Sequence, residues 1–223
     1  MLRQLITGLA GLPILGFAAG ALADTSLGIR AGTLGAGVEL SHAFGPHTGV
    51  RLNGDAFSRS TSRTEDNIQY DAKLRLRTAS LLGDWFPFGN GFRISAGGVA
   101  NGNKINLKGK PTESTYTING TTYNASDVGS LEGQVDFNKL APYAGLGYGR
   151  ALNKGLSLIF DAGVMHQGSP KSKITVVCGP AIVGTAQCTQ LQNDAAAEQA
   201  RLNDSLKKYK NYPVLSLGLA YTF

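Results

Sequence analysis

The chain has 223 residues, with 21 basic and 15 acidic side chains, 30 glycines and two cysteines. This length suits a single domain, and its formal charge of +6 comes from basic residues spread along the chain. A spread of this kind does not indicate a nucleic-acid-binding surface. No run of about 18 apolar residues follows residue 23, which argues against a membrane-spanning helix in the mature protein.

Residues 1–23 have the features of a secretory signal peptide. Arg3 provides a basic start, residues 5–19 are apolar and uncharged, and Ala21-Leu22-Ala23 forms a small-residue cleavage site. An uncleaved helix fits less well, because the apolar run is short and contains Pro13. We therefore expect residues 1–23 to be removed and residues 24–223 to form one exported domain.

The mature chain shows short segments of alternating apolar residues, and their connections are alternately short and long. The longer polar stretches lie at 60–69, 102–138 and 167–211. The first two segments, between residues 26 and 44, form either two strands with a tight turn or one bent strand, and an even strand number favours the turn. The predicted strands are 26–33, 36–44, 49–59, 70–86, 91–101, 139–151, 156–166 and 212–223.

The last strand has one apolar face and one face of small, mostly polar groups. Alternate side chains of a strand point to opposite faces. Leu215, Leu217 and Leu219 share a face with Tyr221 and Phe223, while the other face carries residues such as serine, glycine and threonine. In a membrane barrel the apolar face contacts lipid and the other face lines the interior.

The segment 70–86 does not keep one phase of alternation. If Lys73, Arg75 and Arg77 point inward, the same phase places Trp85 inside and Asp84 in lipid. A β-bulge shifts the phase of a strand. We therefore predict a bulge near residues 78–80.

Aromatic residues gather at the end of the predicted barrel that carries the short turns. Aromatic rings favour the headgroup layer of a membrane, so these residues are expected to form a collar there. The predicted collar consists of Phe44, Trp85, Phe86, Phe88, Phe92, Tyr221 and Phe223.

The signal peptide, the strand pattern and the Tyr221-Thr222-Phe223 end together resemble the small outer-membrane β-barrel proteins of Gram-negative bacteria, the OmpA/OmpX/OmpW-like group. The resemblance implies an all-β fold: an eight-stranded antiparallel up-and-down transmembrane barrel in the cell outer membrane, with long external loops. It also implies contact with outer-membrane lipid and lipopolysaccharide, and recognition of Tyr221 and Phe223 as an assembly signal by the barrel-assembly machinery. Such proteins have several functions, so membership does not fix the activity.

Charged residues on the predicted inward faces are the main candidate functional feature. One interpretation is an ion-pair network that holds a closed barrel, since eight strands leave an interior just wide enough for side chains. The other is a narrow water-filled path in which the excess of basic groups favours anions. The predicted lumen residues are Glu39, Arg51, Asp55, Arg59, Lys73, Arg75, Arg77, Arg93 and Asp161.

The long loops carry their own structural signals. Cys178 and Cys188 are expected to form a disulfide in the oxidising periplasm. Residues 194–210 indicate a short helix with acidic residues early and basic residues late, either on the barrel rim or over the lumen as a plug. Residues 116–123 indicate a hairpin around Asn119-Gly120, which we expect to project as an exposed ribbon.

These patterns favour a non-enzymatic outer-membrane protein, either structural or a narrow channel for small solutes with a preference for anions. The alternative is a surface protein that acts through its external loops in adhesion or interaction. A rim hydrolase using His166 and Ser169 is a third hypothesis, but neither residue lies in a recognisable catalytic motif. We expect no metal, no cofactor and no nucleic-acid partner.

Overall fold

The structure is a computed structural model that describes residues 24–65, 68–111, 115–150 and 154–223. The predicted signal peptide, residues 1–23, lies outside the described residues. No helix in the described part of the chain is both long enough and apolar enough to cross a membrane.

The described residues form antiparallel strands, one α-helix and a short 3-10 turn at Ala125–Asp127. The strands are β1 (Thr25–Gly32), β2 (Gly35–Ala43), β3 (Thr48–Glu65), β4 (Ile68–Trp85), β5 (Phe92–Asn101), β6 (Lys104–Pro111), β7 (Thr115–Ile118), β8 (Thr121–Asn124), β9 (Val128–Asp136), β10 (Leu140–Tyr148), β11 (Gly155–His166), β12 (Lys171–Cys178) and β13 (Asn211–Thr222), and the helix is α1 (Ala186–Leu206).

The strand pairings close into a ring. Around the ring the order is β1-β2-β3-β4-β5-β10-β11-β13, and β13 pairs with β1. Within the described ranges the barrel therefore has about eight ring strands, and all their pairings are antiparallel. β1 and β2 are separate strands joined at Thr33-Leu34, so the tight turn is the alternative that the structure adopts.

Alternation of side chains places apolar groups outside the ring and small or polar groups inside it. In β13, Ser216 and Thr222 are buried, while Leu217 is 60% exposed and Leu215 and Tyr221 are also exposed. The exposed leucines form an apolar outer surface, because nothing on the outer side of the ring covers them. This is the arrangement expected for a strand that contacts lipid.

The prediction of a bulge in the fourth strand is wrong. The register between β3 and β4 runs without a shift from Thr48 opposite Trp85 to Glu65 opposite Ile68. Asp84 is buried inside the ring and Trp85 is exposed outside it. An unbroken alternation then places the basic residues of β4 on the outer face as well.

Besides the predicted hairpin, three strands lie in segments that the sequence analysis treated as loops. β6, β9 and β12 add to β4 in that order and extend the sheet beyond the ring. We call β6 to β9, β12 and α1 together the outer module. The predicted hairpin is present as β7 and β8, and Asn119 and Gly120 at its turn both have positive φ.

The outer module has its own hydrophobic core, so its hairpin is packed and does not project as an exposed ribbon. The helix predicted at 194–210 begins earlier, at Ala186, where the Thr185 side chain accepts a hydrogen bond from the Cys188 amide, and it ends at Leu206. It packs on the extended sheet and the hairpin. The buried core residues of the module are Tyr116, Ile118, Tyr123, Val128, Ile182, Cys188, Leu191 and Ala195.

The aromatic collar is present with one exception. Phe44, Trp85 and Phe88 are exposed, and the rings of Tyr221 and Phe223 contact each other with centroids 5.5 Å apart. Phe86 is 4% exposed and points into the ring. It was predicted in the collar because it lies at the right end of its strand, but its parity is that of Asp84, on the inner face.

Candidate functional site

A cluster of paired charges fills the middle of the barrel interior. Its arginines come from β1, β3 and β5, and its carboxylates come from β2, β3, β4 and β11, so the cluster connects six of the ring strands. Arg51 and Arg93 are each only 1% exposed. We call this cluster the interior ion-pair network, and its members are Arg30, Glu39, Arg51, Asp55, Asp84, Arg93 and Asp161.

Arg51 is the centre of the network. Its Nε lies 2.6 Å from Asp84 Oδ2, and its Nη1 lies 3.2 Å from Glu39 Oε2 and 2.9 Å from Asp161 Oδ2. Its Nη2 donates a hydrogen bond of 3.0 Å to Ser95 Oγ. One guanidinium therefore meets three carboxylates and a hydroxyl, which is the dense pairing that a buried charge requires.

Asp161 also pairs with arginines from two further strands. Arg93 Nη2 donates to Asp161 Oδ2 at 2.9 Å, and Arg93 Nη1 donates to the carbonyl of Gly149. Arg30 Nη1 lies 3.9 Å from the same Asp161 oxygen, and its Nε lies 3.0 Å from Asp55 Oδ1. Each arginine of the network thus contacts Asp161.

The structure brings together some of the predicted lumen residues and not others. Glu39, Arg51, Asp55, Arg93 and Asp161 belong to the network. Arg59 has the inward parity of Asp55 but is exposed beyond the ring. Three predicted lumen residues, Lys73, Arg75 and Arg77, lie exposed on the outer face of β4. For these four residues the prediction of a position in the lumen is wrong.

Two members of the network were not predicted as such. Arg30 lies between Ile29 and Ala31, which face outward. The alternation of side chains along β1 would therefore have predicted that Arg30 faces inward. Asp84 follows from the unbroken parity of β4. The described network therefore contains three arginines and four carboxylates, and the predicted basic excess of the lumen is absent.

Glycines of β10 and β11 make room for the interior side chains. A Cβ at Gly147 would lie 2.8 Å from both Arg93 Nε and Asp161 Oδ1. A Cβ at Gly145 would lie 2.3 Å from Tyr143 Oη, and one at Gly163 would lie 2.4 Å from it. The arginine and the tyrosine ring thus lie directly over backbone that carries no side chain.

An apolar layer covers the network on the long-loop side of the barrel interior. It includes Leu34 from the turn between β1 and β2, and Leu82, the register partner of Arg51. The charged layer and the apolar layer together fill the middle of the lumen and its long-loop side. The buried residues of this layer are Leu34, Leu82, Val99, Ala141, Tyr143, Met165 and Val214.

Arg150 closes the opposite, short-turn end. Its guanidinium carbon lies 4.8 Å from the centre of the Phe86 ring, and its Nη1 donates to the Pro46 carbonyl at 2.6 Å. Its Nη2 donates to the carbonyl of Gly45. Between this residue and the network lies a cavity of about 20 Å³, which is room for about one water molecule.

The outer module contains the predicted disulfide and a larger cavity. Cys178 and Cys188 are bonded, with their Cα atoms 5.8 Å apart. The cavity has a volume of about 370 Å³ and lies between the sheet, the hairpin turn and α1. Leu107, Leu131 and Ile174 contribute to its lining.

Asp194 of α1 ties the helix to the hairpin. It accepts hydrogen bonds from the Tyr123 hydroxyl and from Asn119 Nδ2. These bonds, with Tyr123 as the main contributor, lower the pKa of Asp194 to about 2. Burial, together with the bond to Asp194, raises the pKa of Tyr123 to about 12. The pair therefore consists of a carboxylate and a neutral phenol over most of the pH range.

The hypothetical hydrolase pair is not assembled in the described residues. His166 Nδ1 lies 2.7 Å from Asn211 Oδ1. This contact joins β11 to β13 at the long-loop end of the barrel. The histidine is therefore engaged with an amide, and nothing in the described structure orients it toward Ser169.

The fold is similar to solved structures of outer-membrane β-barrel proteins. CarO of Acinetobacter baumannii is 20% identical, with a TM-score of 0.56 over 90% of this chain and 98% of that chain. CarO2 of Acinetobacter baumannii is 21% identical, with a TM-score of 0.55 over 89% of this chain and 98% of that chain. No protein-family model and no curated protein matches the sequence.

A third similar structure is a major outer membrane protein from Thermus thermophilus, which is 16% identical over 89% of this chain and 99% of that chain. Its TM-score is 0.43. The two CarO structures show the fold: the chain has the architecture of the outer-membrane β-barrels, the group that its sequence resembles. At this level of identity the likeness does not extend to function.

Proposed function

We propose that the protein is an eight-stranded transmembrane barrel of the Gram-negative outer membrane whose lumen is closed, and that its role is structural: it anchors the outer module at the cell surface. The signal peptide at residues 1–23 directs export and is cleaved. In this proposal the barrel carries out no chemistry. The protein contacts outer-membrane lipid and lipopolysaccharide through its outer surface.

The observation that carries this proposal is the filled interior. A conducting barrel needs a continuous water path, and side chains in an eight-stranded barrel just fill the space. Here the interior ion-pair network occupies the middle, the apolar layer lies above it, and Arg150 with Phe86 lies below it. Permeation would require each of these layers to rearrange.

The charge of the interior also bears on the channel hypothesis. Three arginines face four carboxylates in the network, so the interior provides no excess of positive charge for anions. If the barrel opens, we expect weak selectivity. We therefore do not propose that the barrel prefers anions.

Liposome swelling tests the closed lumen directly. We expect liposomes that contain the refolded protein to swell in arabinose no faster than protein-free liposomes. Liposomes with a general porin serve as the positive control. Swelling well above the protein-free rate, with the protein correctly inserted, would contradict the proposal.

A second candidate function is interaction through the outer module, and its packed core favours this idea. A disulfide, a capped helix and a buried hairpin give the module a fixed shape, which an unstructured loop would not have. The test is a variant in which a short Gly-Ser linker replaces residues 171–206. Loss of adhesion to host cells, with normal amounts of barrel in the membrane, would support this function, and unchanged adhesion would argue against it.

Recognition by the barrel-assembly machinery is proposed for the terminal strand. Tyr221 and Phe223 lie at the end of β13, and both rings are exposed. Phe223→Ala should slow insertion by the reconstituted machinery, while Phe88→Ala, which removes a more exposed ring elsewhere in the collar, should not. Equal insertion rates for both variants would contradict this role.

A further inference from the structure

The outer face of β4 carries a stripe of basic side chains at the edge of the apolar surface of the barrel. We call Lys73, Arg75 and Arg77 the basic stripe. All three are exposed, and among the described residues none of them forms an ion pair. Lys104 of β6, opposite Arg75 in the register, lies on the same face and pairs with Asp136 at 3.2 Å.

The distance of the stripe from the aromatic collar matches the thickness of an outer-membrane apolar band. Ten residues separate Trp85 from Arg75 along β4, which is about 34 Å at 3.4 Å per residue. A strand tilt of about 40° reduces this to about 26 Å along the membrane normal, and the apolar band is about 25 Å tall. With Trp85 at one interface, Arg75 lies at the other, the external headgroup layer. Arg77 lies about 5 Å inside that level, a distance that its long side chain can span to reach the headgroups.

On the β3 side the surroundings of the stripe leave it open. The register partners on β3 are small: Ala56 opposite Arg77, Ser58 opposite Arg75 and Ser60 opposite Lys73. Neighbouring members of the stripe are two residues apart, or about 7 Å along the strand. Like charges at this spacing repel each other, so a bound anion would relieve the repulsion.

The chemistry of the stripe fits phosphate groups held at a membrane surface. A guanidinium donates two parallel hydrogen bonds to a phosphate, and attraction between charges is stronger near an apolar layer than in open water. We propose that the basic stripe binds the phosphate groups of lipopolysaccharide in the outer leaflet. This inference rests on the proposed outer-membrane location, and it names the lipid that the outer surface holds.

Two observations favour a lipid phosphate over free phosphate. The stripe lies on an exposed strand surface with small neighbours on β3, which suits a ligand already held by the membrane. It also continues the lipid-facing surface of the same strand, where Leu81 is exposed. A lipopolysaccharide molecule would thus contact Leu81 with its acyl chains and the arginines with its phosphates.

The experiment compares retention of lipid A by the full-length protein and two variants in detergent, quantified by mass spectrometry after washing. Arg75→Gln/Arg77→Gln removes two charges from the stripe. Lys207→Gln/Lys208→Gln removes the same charge from exposed positions after α1. We expect the wild type and the lysine variant to retain at least threefold more lipid A than the arginine variant, with a difference that shrinks at high salt.

Two further arms identify the ligand. With dephosphorylated lipid A, all three proteins should retain equal amounts. Inorganic phosphate should leave the unfolding temperature of the wild type unchanged; a rise in that temperature that is lost in the arginine variant would overturn the choice of a lipid source. Equal retention of phosphorylated lipid A by the wild type and the arginine variant would overturn the inference.

An assay of membrane insertion distinguishes a failure of this inference from a failure of the proposed function. Each protein is also reconstituted in bilayers and tested for protection of its strands against protease. A wild type that inserts but retains no more lipid A than its arginine variant would refute lipopolysaccharide binding alone. A wild type that does not insert would refute the outer-membrane proposal on which the inference rests.

Discussion

Arg51 Nη1 lies 2.9 Å from Asp161 Oδ2, although the two residues are 110 positions apart in sequence. Arg51 belongs to β3 and Asp161 to β11, which occupy opposite positions in the ring order. This ion pair therefore crosses the barrel interior and joins its two walls. Its contribution to stability depends on the other charges that each partner contacts.

Replacing Arg51 by alanine should destabilise the barrel strongly. The change leaves Asp84 and Glu39 buried without their main cation, and removal of one partner from a buried pair costs about 3–5 kcal/mol. The measurement is urea unfolding of the protein refolded in lipid vesicles. Arg75→Ala, an exposed change of the same type, should stay within about 0.5 kcal/mol.

A double-mutant cycle with Asp161→Ala isolates the pair. Because the two residues are in contact, the double variant should be less destabilised than the sum of the single variants, by about 0.5–3 kcal/mol. Strictly additive effects would show that the contact across the lumen does not contribute to stability.

The glycine beneath the tyrosine ring provides a second prediction. Gly145→Ala should destabilise the barrel by about 1–3 kcal/mol through overpacking, because the new Cβ would lie 2.3 Å from Tyr143 Oη. Gly54→Ala is the control, since a Cβ at Gly54 has no atom within 4 Å. Adding Tyr143→Leu should recover part of the loss at Gly145, and the absence of any recovery would exclude the tyrosine as the cause.

The Tyr123–Asp194 pair predicts a pH-dependent outer module. The folded pKa of Asp194 is about 2, below the ordinary value of about 3.9. The stabilisation is therefore complete above that ordinary value and is lost as pH falls toward 2. Hydrogen exchange of the α1 amides should follow this loss. In Tyr123→Phe, carboxyl carbon NMR should show a higher Asp194 pKa; an unchanged pKa would refute the assignment of its cause.

The disulfide should stabilise the outer module and not the ring. Closing a loop between Cys178 and Cys188 contributes about 2–3 kcal/mol by chain entropy. Cys178→Ser/Cys188→Ser should therefore make α1 more sensitive to protease, while the barrel keeps its heat-modifiable mobility on gels. Loss of the folded barrel band would mean that the ring needs the disulfide to fold.

Sequence alone could predict much of the ring because a period of two is a local property. From the alternation in β11 and β13, the inner and outer faces of both strands were predicted correctly, and their first and last residues to within one position. The same reasoning failed for β4, where Lys73, Arg75 and Arg77 alternate regularly with leucines. Apolar residues face outward only within the bilayer. Beyond the bilayer the outer face of the strand contacts water, and the apolar residues lie on the inner face. The apolar residues therefore change faces at the membrane boundary, and the sequence does not show where that boundary lies.

The interior ion-pair network was predictable in part for the same reason. Arg51, Arg93 and Asp161 lie in strands that stay within the membrane band, and their inward parity was evident. Their mutual contacts depend on the ring order, which brings β3, β5 and β11 together over long sequence separations. The packing of α1 could not be read from its sequence either, since its buried face is set by the hairpin and sheet beneath it.

Single-channel recording in planar bilayers shows whether the barrel interior is closed. The wild type should insert without discrete conductance steps. Arg51→Ala/Asp161→Ala, which removes the pair that crosses the lumen, should show small openings if it folds, and Arg75→Ala should be silent like the wild type. Regular, well-resolved openings of the correctly folded wild type would contradict the account.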